Sequence, residues 1–303
     1  MNLDPRLGPV LLDGAMGTAL QAAGLAPGQL PERWLTERPE AIRAVHAAHA
    51  AAGASVVLTC TFNAASPRLA ASLPGASASV LCATAVALAR QGAPGARVAG
   101  ALGPLARAHP GGPAPARGRL RSPFEGPLDA LAEAGADLLW LESQYDWREA
   151  EAALAAAVAI GLPVAVTFTL HDRGGLLVAP DGTPGTALLA LAARFGGRGP
   201  GQGRVVAVGV NCLPAGPPLT ALAAWARTTL PVPFIAKPSP GPPGARLSPA
   251  AFAESLAPAI AAGARLVGGC CGATAGHLEA IGARLWSGSR PETPSSPEPG
   301  RGA

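Results

Sequence analysis

Three cysteines in two short motifs are the residues of this sequence with the clearest potential for chemistry. Cys270 and Cys271 are adjacent in the glycine-rich segment Gly268-Gly269-Cys270-Cys271-Gly272, and Cys212 belongs to an upstream Asn211-Cys212 motif. Thiolates are common zinc ligands; a structural zinc site is closed by four protein ligands, whereas a catalytic site keeps one position open. Three thiols that meet in space could therefore hold zinc and leave one position for water or a substrate.

The other cysteines and the histidines give weaker signals. Cys60 ends an apolar run without a partner motif and Cys82 lies in an alanine-rich segment, so we expect both to pack in the interior. His46 and His49 stand three residues apart among alanines, which indicates a packed or solvated pair and not a metal site. His277 is predicted to lie on a helix surface. The alternatives to metal binding at the adjacent cysteines are a pair of small buried residues or a disulfide between them, and a reducing compartment disfavours the disulfide.

Composition allows one large core and gives no sign of a membrane or nucleic-acid partner. The chain has 303 residues, of which 49% are hydrophobic, a length that suits one α/β barrel or two smaller domains. No apolar run is long enough for a transmembrane helix, and the first residues lack the pattern of a signal peptide, so we expect a cytoplasmic protein. The net charge of +4 is spread over scattered arginines, which form no basic stripe.

Short apolar runs alternate with alanine-rich segments of helical character along the chain. This alternation predicts a parallel sheet covered by helices, and the continuous apolar character of the runs indicates burial on both faces. Eight strand-helix units predict a single-domain α/β fold, a TIM (β/α)8 barrel over residues 1–286. The predicted strands are 10–13, 56–59, 98–102, 138–142, 164–168, 205–211, 234–237 and 266–269.

Two segments are predicted to be irregular. Arg107–Pro127, rich in proline, glycine and arginine, follows the third strand and is too long for an ordinary barrel loop, so it is a candidate lid. Residues 287–303 form a proline-, serine- and glycine-rich tail that we expect to be disordered.

Polar residues follow the predicted strands at their carboxyl ends. Catalytic groups of TIM barrels come from this end of several strands. The arrangement therefore predicts two carboxylates and three thiols around one cavity. The strand-end residues are Asp13, Thr59 with Cys60, Glu142, Thr167, Asn211 with Cys212, Lys237, and Cys270 with Cys271.

The ordered set of motifs resembles the zinc-dependent homocysteine S-methyltransferases, including the homocysteine-binding module of cobalamin-dependent methionine synthase. The resemblance extends over nearly the whole chain, to about Trp286. It rests on Leu12-Asp13-Gly14-Ala15-Met16-Gly17-Thr18, Thr59-Cys60-Thr61-Phe62, Leu141-Glu142-Ser143-Gln144, Gly209-Val210-Asn211-Cys212 and Gly268-Gly269-Cys270-Cys271-Gly272.

The resemblance implies methyl transfer to the thiol of homocysteine, giving methionine. Cys212, Cys270 and Cys271 would hold zinc, with the substrate thiolate as the fourth ligand. A free thiol of pKa about 8.5 is only about 3% thiolate at pH 7, and the thiolate is the nucleophile. A zinc-bound substrate would remain deprotonated at neutral pH.

The resemblance also implies a substrate pocket built from the same motifs. Asp13 and Glu142 would hold the amino group of homocysteine, and backbone amides of the turn that starts at Gly14 and Ala15 would face its carboxylate. Asn211, next to a zinc ligand, belongs to the implied substrate-binding set. Carboxylates suit the amino group and backbone amides suit the carboxylate, since an ammonium group needs hydrogen-bond acceptors and a carboxylate needs donors.

The sequence does not identify the methyl donor. S-methylmethionine or betaine could enter the barrel directly, or a separate cobalamin- or folate-binding subunit could deliver the methyl group, because the chain lacks an Asp-x-His-x-x-Gly cobalamin signature. Two loops depart from the methionine synthase pattern: Cys60 replaces an asparagine, and Pro238-Ser239-Pro240-Gly241 replaces Pro-Asn-Ala-Gly. Aromatic residues that could surround a cationic donor are Trp34, Phe62, Tyr145 and Trp147.

Two other functions are compatible with a barrel that carries these residues. Lys237 is the only lysine and ends the seventh predicted strand, so it could act as the Schiff-base nucleophile of an aldolase-like enzyme. Alternatively, the chain could be a non-catalytic subunit with structural zinc. That site needs a fourth protein ligand, for which Cys60 and His171 are the candidates.

Overall fold

Eight parallel strands close into a barrel in the computed structural model, which describes residues 8–105, 117–195, 203–242 and 244–286. The sheet runs in the order β1-β10-β9-β8-β5-β4-β3-β2, and a parallel bridge between Leu12 and Val56 joins its two ends. The barrel strands are β1 Val10–Leu11, β2 Val56–Leu58, β3 Arg97–Leu102, β4 Leu138–Gln144, β5 Val164–Phe168, β8 Val205–Pro214, β9 Phe234–Ser239 and β10 Ala264–Val267. The predicted TIM barrel is confirmed.

Helices follow the strands and cover the outside of the barrel. Pro39 starts α3, as a first-turn proline can, because its missing N–H would have no partner there. The helices are α1 Met16–Ala22, α2 Trp34–Glu37, α3 Pro39–Ala51, α4 Pro67–Ser72, α5 Ala78–Gly92, α6 Arg117–Glu133, α7 Trp147–Ala159, α8 Gly185–Ala193, α9 Pro217–Thr229, α10 Pro249–Ala262 and α11 Ala275–Leu285, with a short 3-10 helix at Pro31–Arg33. No helix in these ranges combines the length and the apolarity needed to cross a membrane.

The strands are buried on both faces, as their apolar runs predict. In β4, Leu138 and Trp140 belong to the small cluster that fills the barrel, whereas Leu139 and Leu141 pack in the larger cluster shared with the helices. Side chains of successive strand residues point to opposite faces, so one run supplies both layers. Small residues such as Ala165 and Ala207 share the interior with Trp140, which leaves room for its ring.

The prediction that Arg107–Pro127 is irregular is wrong from residue 117 onward. There α6 runs through Pro123 and Pro127, although proline inside a helix removes a hydrogen bond. Phe124 and Leu128, one turn apart, are fully buried, and burial of this apolar face outweighs the proline cost. Residues 106–116 lie outside the described ranges, as does the predicted tail 287–303.

A small antiparallel hairpin is an element that the strand count did not predict. Its strands are β6 His171–Arg173 and β7 Leu176–Val178, inserted between β5 and α8. Residues of β6 are exposed and make no periodic apolar pattern, so the sequence carried little signal for it. The hairpin places His171 on the surface.

Candidate metal and substrate site

The barrel brings the three motif cysteines together at the carboxyl ends of its strands. Cys212 lies in β8, and Cys270 and Cys271 follow β10. Their sulfur atoms all lie within 4.8 Å of one another. Cys212 Sγ is 2.6 Å from Cys270 Sγ and 3.5 Å from Cys271 Sγ. No fourth side chain joins this cluster in the described ranges.

Backbone contacts hold the cysteine pair in place. Gly269 N donates to Asp13 O at 3.2 Å, and Cys270 N donates to Pro238 O at 2.8 Å. A Cβ on Gly268 would lie 2.8 Å from Asp13 O, a separation that real Cβ contacts do not reach. Glycine at this position therefore allows the loop to pass against the end of β1 and turn its two thiols toward β8.

The donor set fits a thiophilic metal ion with one position left open. Tetrahedral zinc with bonds of about 2.3 Å places its sulfur ligands roughly 3.8 Å apart. The separation of 3.5 Å between Cys212 and Cys271 is near this value, and the shorter separation of 2.6 Å needs a small outward movement of Cys270. Soft thiolate ligands favour zinc over magnesium or calcium.

Contacts within the cluster shift the pKa values of its thiols in opposite directions. Hydrogen bonds from Cys212 and Cys270 lower the pKa of the Cys271 thiol, and the positive charge of Arg246 acts in the same direction. The same contacts with Cys212 and Cys271, with burial, raise the pKa of Cys270. Binding of a metal ion would displace the thiol protons that form these hydrogen bonds.

Two residues at the site have a left-handed backbone. Ser143 has φ 56° and Cys212 has φ 57°, values that cost energy for residues other than glycine and that cluster at functional sites. Asn211 links them: its Nδ2 donates to Ser143 Oγ at 2.6 Å and points to Cys270 Sγ at 3.8 Å. Asn211 is fully buried and lies behind the cysteines instead of lining the cavity.

Replacement of Asn211 by alanine should weaken metal binding although every cysteine remains. The amide orients Cys270 through the contact above, and loss of a residue that orients a ligand costs about 10- to 100-fold in metal affinity. Titration against a chromophoric chelator measures this change. Ser143→Ala, which removes the acceptor for Asn211 Nδ2, should give part of the loss; unchanged affinity in both variants would contradict the assignment.

The sulfur cluster lies on the wall of a cavity of about 230 Å³. This volume is below the range of about 300–1,000 Å³ typical of drug-sized ligands, so the cavity suits a molecule of amino-acid size. Its lining includes most of the residues that the sequence predicted, among them Asp13, Gly14, Ala15, Glu142 and the three cysteines, together with Met16, Gly17, Pro31, Glu32, Leu58, Thr59, Cys60, Phe62, Asn63, Ser143, Lys237 and Gly269.

Asp13 forms a buried ion pair with Lys237. Lys237 Nζ donates to Asp13 Oδ1 at 2.7 Å, and Asp13 Oδ2 accepts from Leu58 N at 2.7 Å. Both side chains are almost fully buried. Each carboxylate oxygen can accept a second hydrogen bond, so Asp13 can still receive a donor from the cavity.

The environment of Lys237 disfavours the Schiff-base alternative. Burial alone would lower its pKa, but the carboxylates of Asp13 and Glu142 more than offset this, and the pKa of Lys237 is raised above its ordinary 10.5. A Schiff-base lysine must instead be deprotonated near neutral pH. The amine of Lys237 is held as an ammonium group that neutralises Asp13.

Glu142 is the second carboxylate of the cavity. Burial raises its pKa to about 7; Lys237 opposes this shift, and Asp13 and Cys271 add to it. Among the described residues, no hydrogen bond is donated to its carboxylate oxygens. Glu142 is therefore poised to accept from a cationic ligand, which would favour its charged form.

The raised pKa of Glu142 predicts a pH-dependent stability difference. The unfolded chain releases this proton near 4.5 and the folded protein near 7, so the glutamate destabilises the fold as pH rises through that window. Glu142→Gln should therefore gain stability relative to wild type, on the order of 2 kcal/mol at pH 8 and little at pH 5. Urea unfolding of the reduced, metal-free proteins measures the difference, with the exposed Glu279→Gln as control; an equal gain at both pH values would contradict the prediction.

Glu32 is a cavity residue that sequence reasoning missed. Its carboxylate is fully buried and accepts from Asn63 N at 2.6 Å and from Asn63 Nδ2 at 3.1 Å and 3.2 Å. Burial raises its pKa, while the Asn63 hydrogen bonds oppose that rise. A lone glutamate in a polar Pro-Glu-Arg segment carries no signal for such a position. Its contacts fix the loop after β2 beside the cavity.

Neither candidate for a fourth protein ligand joins the sulfur cluster. Cys60 is buried in a separate apolar cluster with α3 and α5, and burial, with a contribution from Glu32, raises its pKa well above the ordinary value. Cys82 is also buried, as predicted. His171 is on the exposed hairpin. The described part of the chain thus leaves the fourth metal position without a protein ligand.

Three of the histidines considered in the sequence are buried, and one of the four aromatic residues considered there lines the cavity. His46 and His49 are a buried, packed pair, whereas the prediction of a surface position for His277 is wrong, because its ring packs edge-on against Phe252 at 5.6 Å. Of the four aromatic residues considered for a cationic donor, Phe62 lines the cavity. Trp34 is buried in an apolar cluster and Trp147 packs against the main core.

Comparison with known proteins gives consistent matches over nearly the whole chain. A family model described as homocysteine S-methyltransferase matches residues 10–285. The chain is 33% identical to homocysteine S-methyltransferase of Escherichia coli (strain K12), over 91% of this chain and 94% of that protein. It is 31% identical to methionine synthase of Mycobacterium tuberculosis, where the match covers 95% of this chain but 25% of the longer protein.

Comparison with solved structures also matches a homocysteine methyltransferase. The metallated form of the homocysteine methyltransferase MmuM from Escherichia coli matches with a TM-score of 0.78 and 31% identity, over 94% of this chain and 100% of that one. The carboxyl transferase domain of Rhizobium etli pyruvate carboxylase matches with a TM-score of 0.55 at 14% identity, over 88% of this chain and 41% of that one. The latter likeness shows the shared barrel fold alone.

Proposed function

The chain belongs to the homocysteine S-methyltransferase family, and from this premise we propose that it transfers a methyl group to the thiol of homocysteine, giving methionine, with zinc as cofactor. The observation that carries the proposal is the cluster of three thiols on the wall of an amino-acid-sized cavity. Cys212, Cys270 and Cys271 would hold the zinc ion. When bound, zinc would lower the pKa of the substrate thiol and keep its sulfur deprotonated at neutral pH.

Residues of the chain supply the binding of the amino acid. Glu142, whose carboxylate accepts no hydrogen bond from the described residues, would accept from the ammonium group of homocysteine. Asp13 would contribute a second acceptor and is fixed for this role by Lys237 and Leu58 N. Backbone N–H groups at Gly14 and Ala15, which line the same cavity, would face the carboxylate.

The walls of the cavity would align the reacting atoms. Leu58, Phe62 and Met16 are apolar lining residues, and they give the cavity an apolar wall. Lowering a thiol pKa by about two units raises the thiolate fraction roughly 25-fold but lowers its intrinsic reactivity about 8-fold. In-line alignment of sulfur and methyl donor can contribute about 7–11 kcal/mol and therefore supplies the larger share.

The methyl donor is a separate question within this proposal. A small donor such as S-methylmethionine or betaine suits direct entry, because Phe62 offers an aromatic face in the cavity. The methionine synthase relative is about four times longer than the matched region, and a separate cobalamin- or folate-binding subunit is the alternative source. The non-catalytic zinc subunit is disfavoured, because the described residues offer no fourth ligand.

A donor assay tests the proposal. Zinc-loaded protein is incubated with homocysteine and, in separate reactions, S-methylmethionine, betaine or methylcobalamin, and methionine is measured by mass spectrometry. We expect methionine with at least one small cationic donor, and none from protein stripped of metal. Absence of methionine with all three donors would overturn the proposal for the isolated chain.

A further inference from the structure

Arg246 lies against the loop that carries the cysteine pair. A Cβ on Gly272, the residue after Cys271, would lie 2.6 Å from Arg246 Nε and 3.2 Å from Arg246 Cζ. Gly272 has φ +88°, a conformation that favours glycine, and its missing side chain provides the space that the arginine occupies. The guanidinium is thus packed beside the metal-ligand loop although Arg246 is an exposed residue.

The backbone around Arg246 is fixed by several hydrogen bonds. Leu247 N donates to Pro240 O at 2.8 Å. Thr274 N donates to His277 Nδ1 at 3.2 Å, so His277 Nε2 carries the ring proton and donates to Leu247 O at 3.1 Å. The loop before α10 is therefore tied to α11, which follows the cysteine pair. Arg246 therefore has a defined place beside the loop that carries the cysteine pair.

The charge of Arg246 is not committed to a protein carboxylate. Within the described ranges it forms no ion pair, whereas Lys237, which lines the cavity, is paired with Asp13. The guanidinium packs against Gly272, the residue that follows Cys271, and Cys271 lines the cavity. Gly272 N donates to Thr18 Oγ1 at 3.1 Å, which brings the start of α1 next to the same loop.

We propose that Arg246 is a substrate-binding residue that recognises a carboxylate at the rim of the cavity. This inference rests on the proposed function. A guanidinium presents a planar fork of donors that matches a carboxylate and forms two parallel hydrogen bonds with it. Homocysteine carries such a group, and so do small amino-acid donors such as S-methylmethionine. The chemistry is the same for both, and the experiment distinguishes them.

Four compounds separate the two sources of the carboxylate. Homocysteine is compared with 3-aminopropanethiol, and S-methylmethionine is compared with (3-aminopropyl)dimethylsulfonium; in each pair the second compound is the first without its carboxylate. Calorimetry gives the Kd of each compound for the zinc-loaded wild type and for Arg246→Gln. Arg246→Lys retains the charge without the fork, and Arg43→Gln, an exposed arginine on α3, is the matched control.

Arg246→Gln should weaken binding of one carboxylate-bearing compound about 10- to 100-fold and leave its carboxylate-free counterpart within about 2-fold. The compound whose Kd rises identifies the ligand. Its Kd for Arg246→Lys should lie between the values for wild type and Arg246→Gln, and its Kd for Arg43→Gln should equal that for wild type. Equal weakening of both members of each pair, or no weakening of any compound, would overturn the inference. Because binding is measured without turnover, wild-type protein that binds these compounds but forms no methionine contradicts the proposed function and not the role of Arg246.

Discussion

Replacing Cys271 by serine should remove the bound metal and abolish methyl transfer. Cys271 is the exposed member of the cluster, and its sulfur lies 3.5 Å from that of Cys212. A serine hydroxyl is not deprotonated at neutral pH and cannot replace the thiolate as a ligand. Loss of a residue that merely orients a ligand costs about 10- to 100-fold, so loss of the ligand itself should cost more than about 100-fold in activity.

Elemental analysis and the donor assay measure the two consequences together. Cys82→Ala is the control, since Cys82 is a buried thiol in α5 outside the sulfur cluster, and this variant should retain metal and activity. Circular dichroism shows whether Cys271→Ser remains folded. A folded Cys271→Ser protein that is fully active without metal would contradict the assignment of the site.

Breaking the buried pair of Asp13 and Lys237 should cost about 3–5 kcal/mol of stability. Lys237→Met leaves the Asp13 carboxylate in the barrel with only the hydrogen bond from Leu58 N. The ammonium of Lys237 and its carboxylate partner are 2% and 4% exposed, so water cannot replace the lost charge. Urea unfolding of metal-free protein at pH 7 measures the cost; Lys237 is fully charged there, because its contribution is lost only as pH rises through a pKa above 10.5.

The double variant distinguishes a lost pair from lost packing. Asp13→Asn with Lys237→Met removes both charges, so its cost should be smaller than the sum of the two single costs by more than about 1 kcal/mol. Additive costs, or a cost below about 1 kcal/mol for Lys237→Met, would show that the pair contributes little. Sodium borohydride with a carbonyl compound should not trap an adduct at Lys237, since its amine is protonated.

Much of the barrel and of the metal site could be predicted from local sequence. Strands buried on both faces are continuous apolar runs, and their carboxyl ends must meet at one end of a closed barrel. That geometry is enough to bring Cys212 near Cys270 and Cys271. The left-handed backbone at Cys212 and Ser143 could not be predicted, because neither residue type favours it.

Pairings between distant residues could not be predicted. Lys237 and Asp13 are 224 positions apart in the chain, and their contact depends on closure of the sheet and on side-chain direction. Glu32 and Arg246 lie in polar segments that look solvent-exposed, and only the fold shows that one is buried and the other rests against Gly272. In α6, the two prolines predicted an irregular segment, but burial of the apolar face that contains Phe124 and Leu128 stabilises a helix there.

X-ray absorption at the zinc edge tests the central claim most directly, namely that three cysteines hold zinc and leave one position for the substrate sulfur. We expect three sulfur ligands and one oxygen or nitrogen ligand in zinc-loaded protein, and four sulfur ligands after homocysteine is added. Four protein ligands before addition, or a spectrum that homocysteine leaves unchanged, would contradict the account.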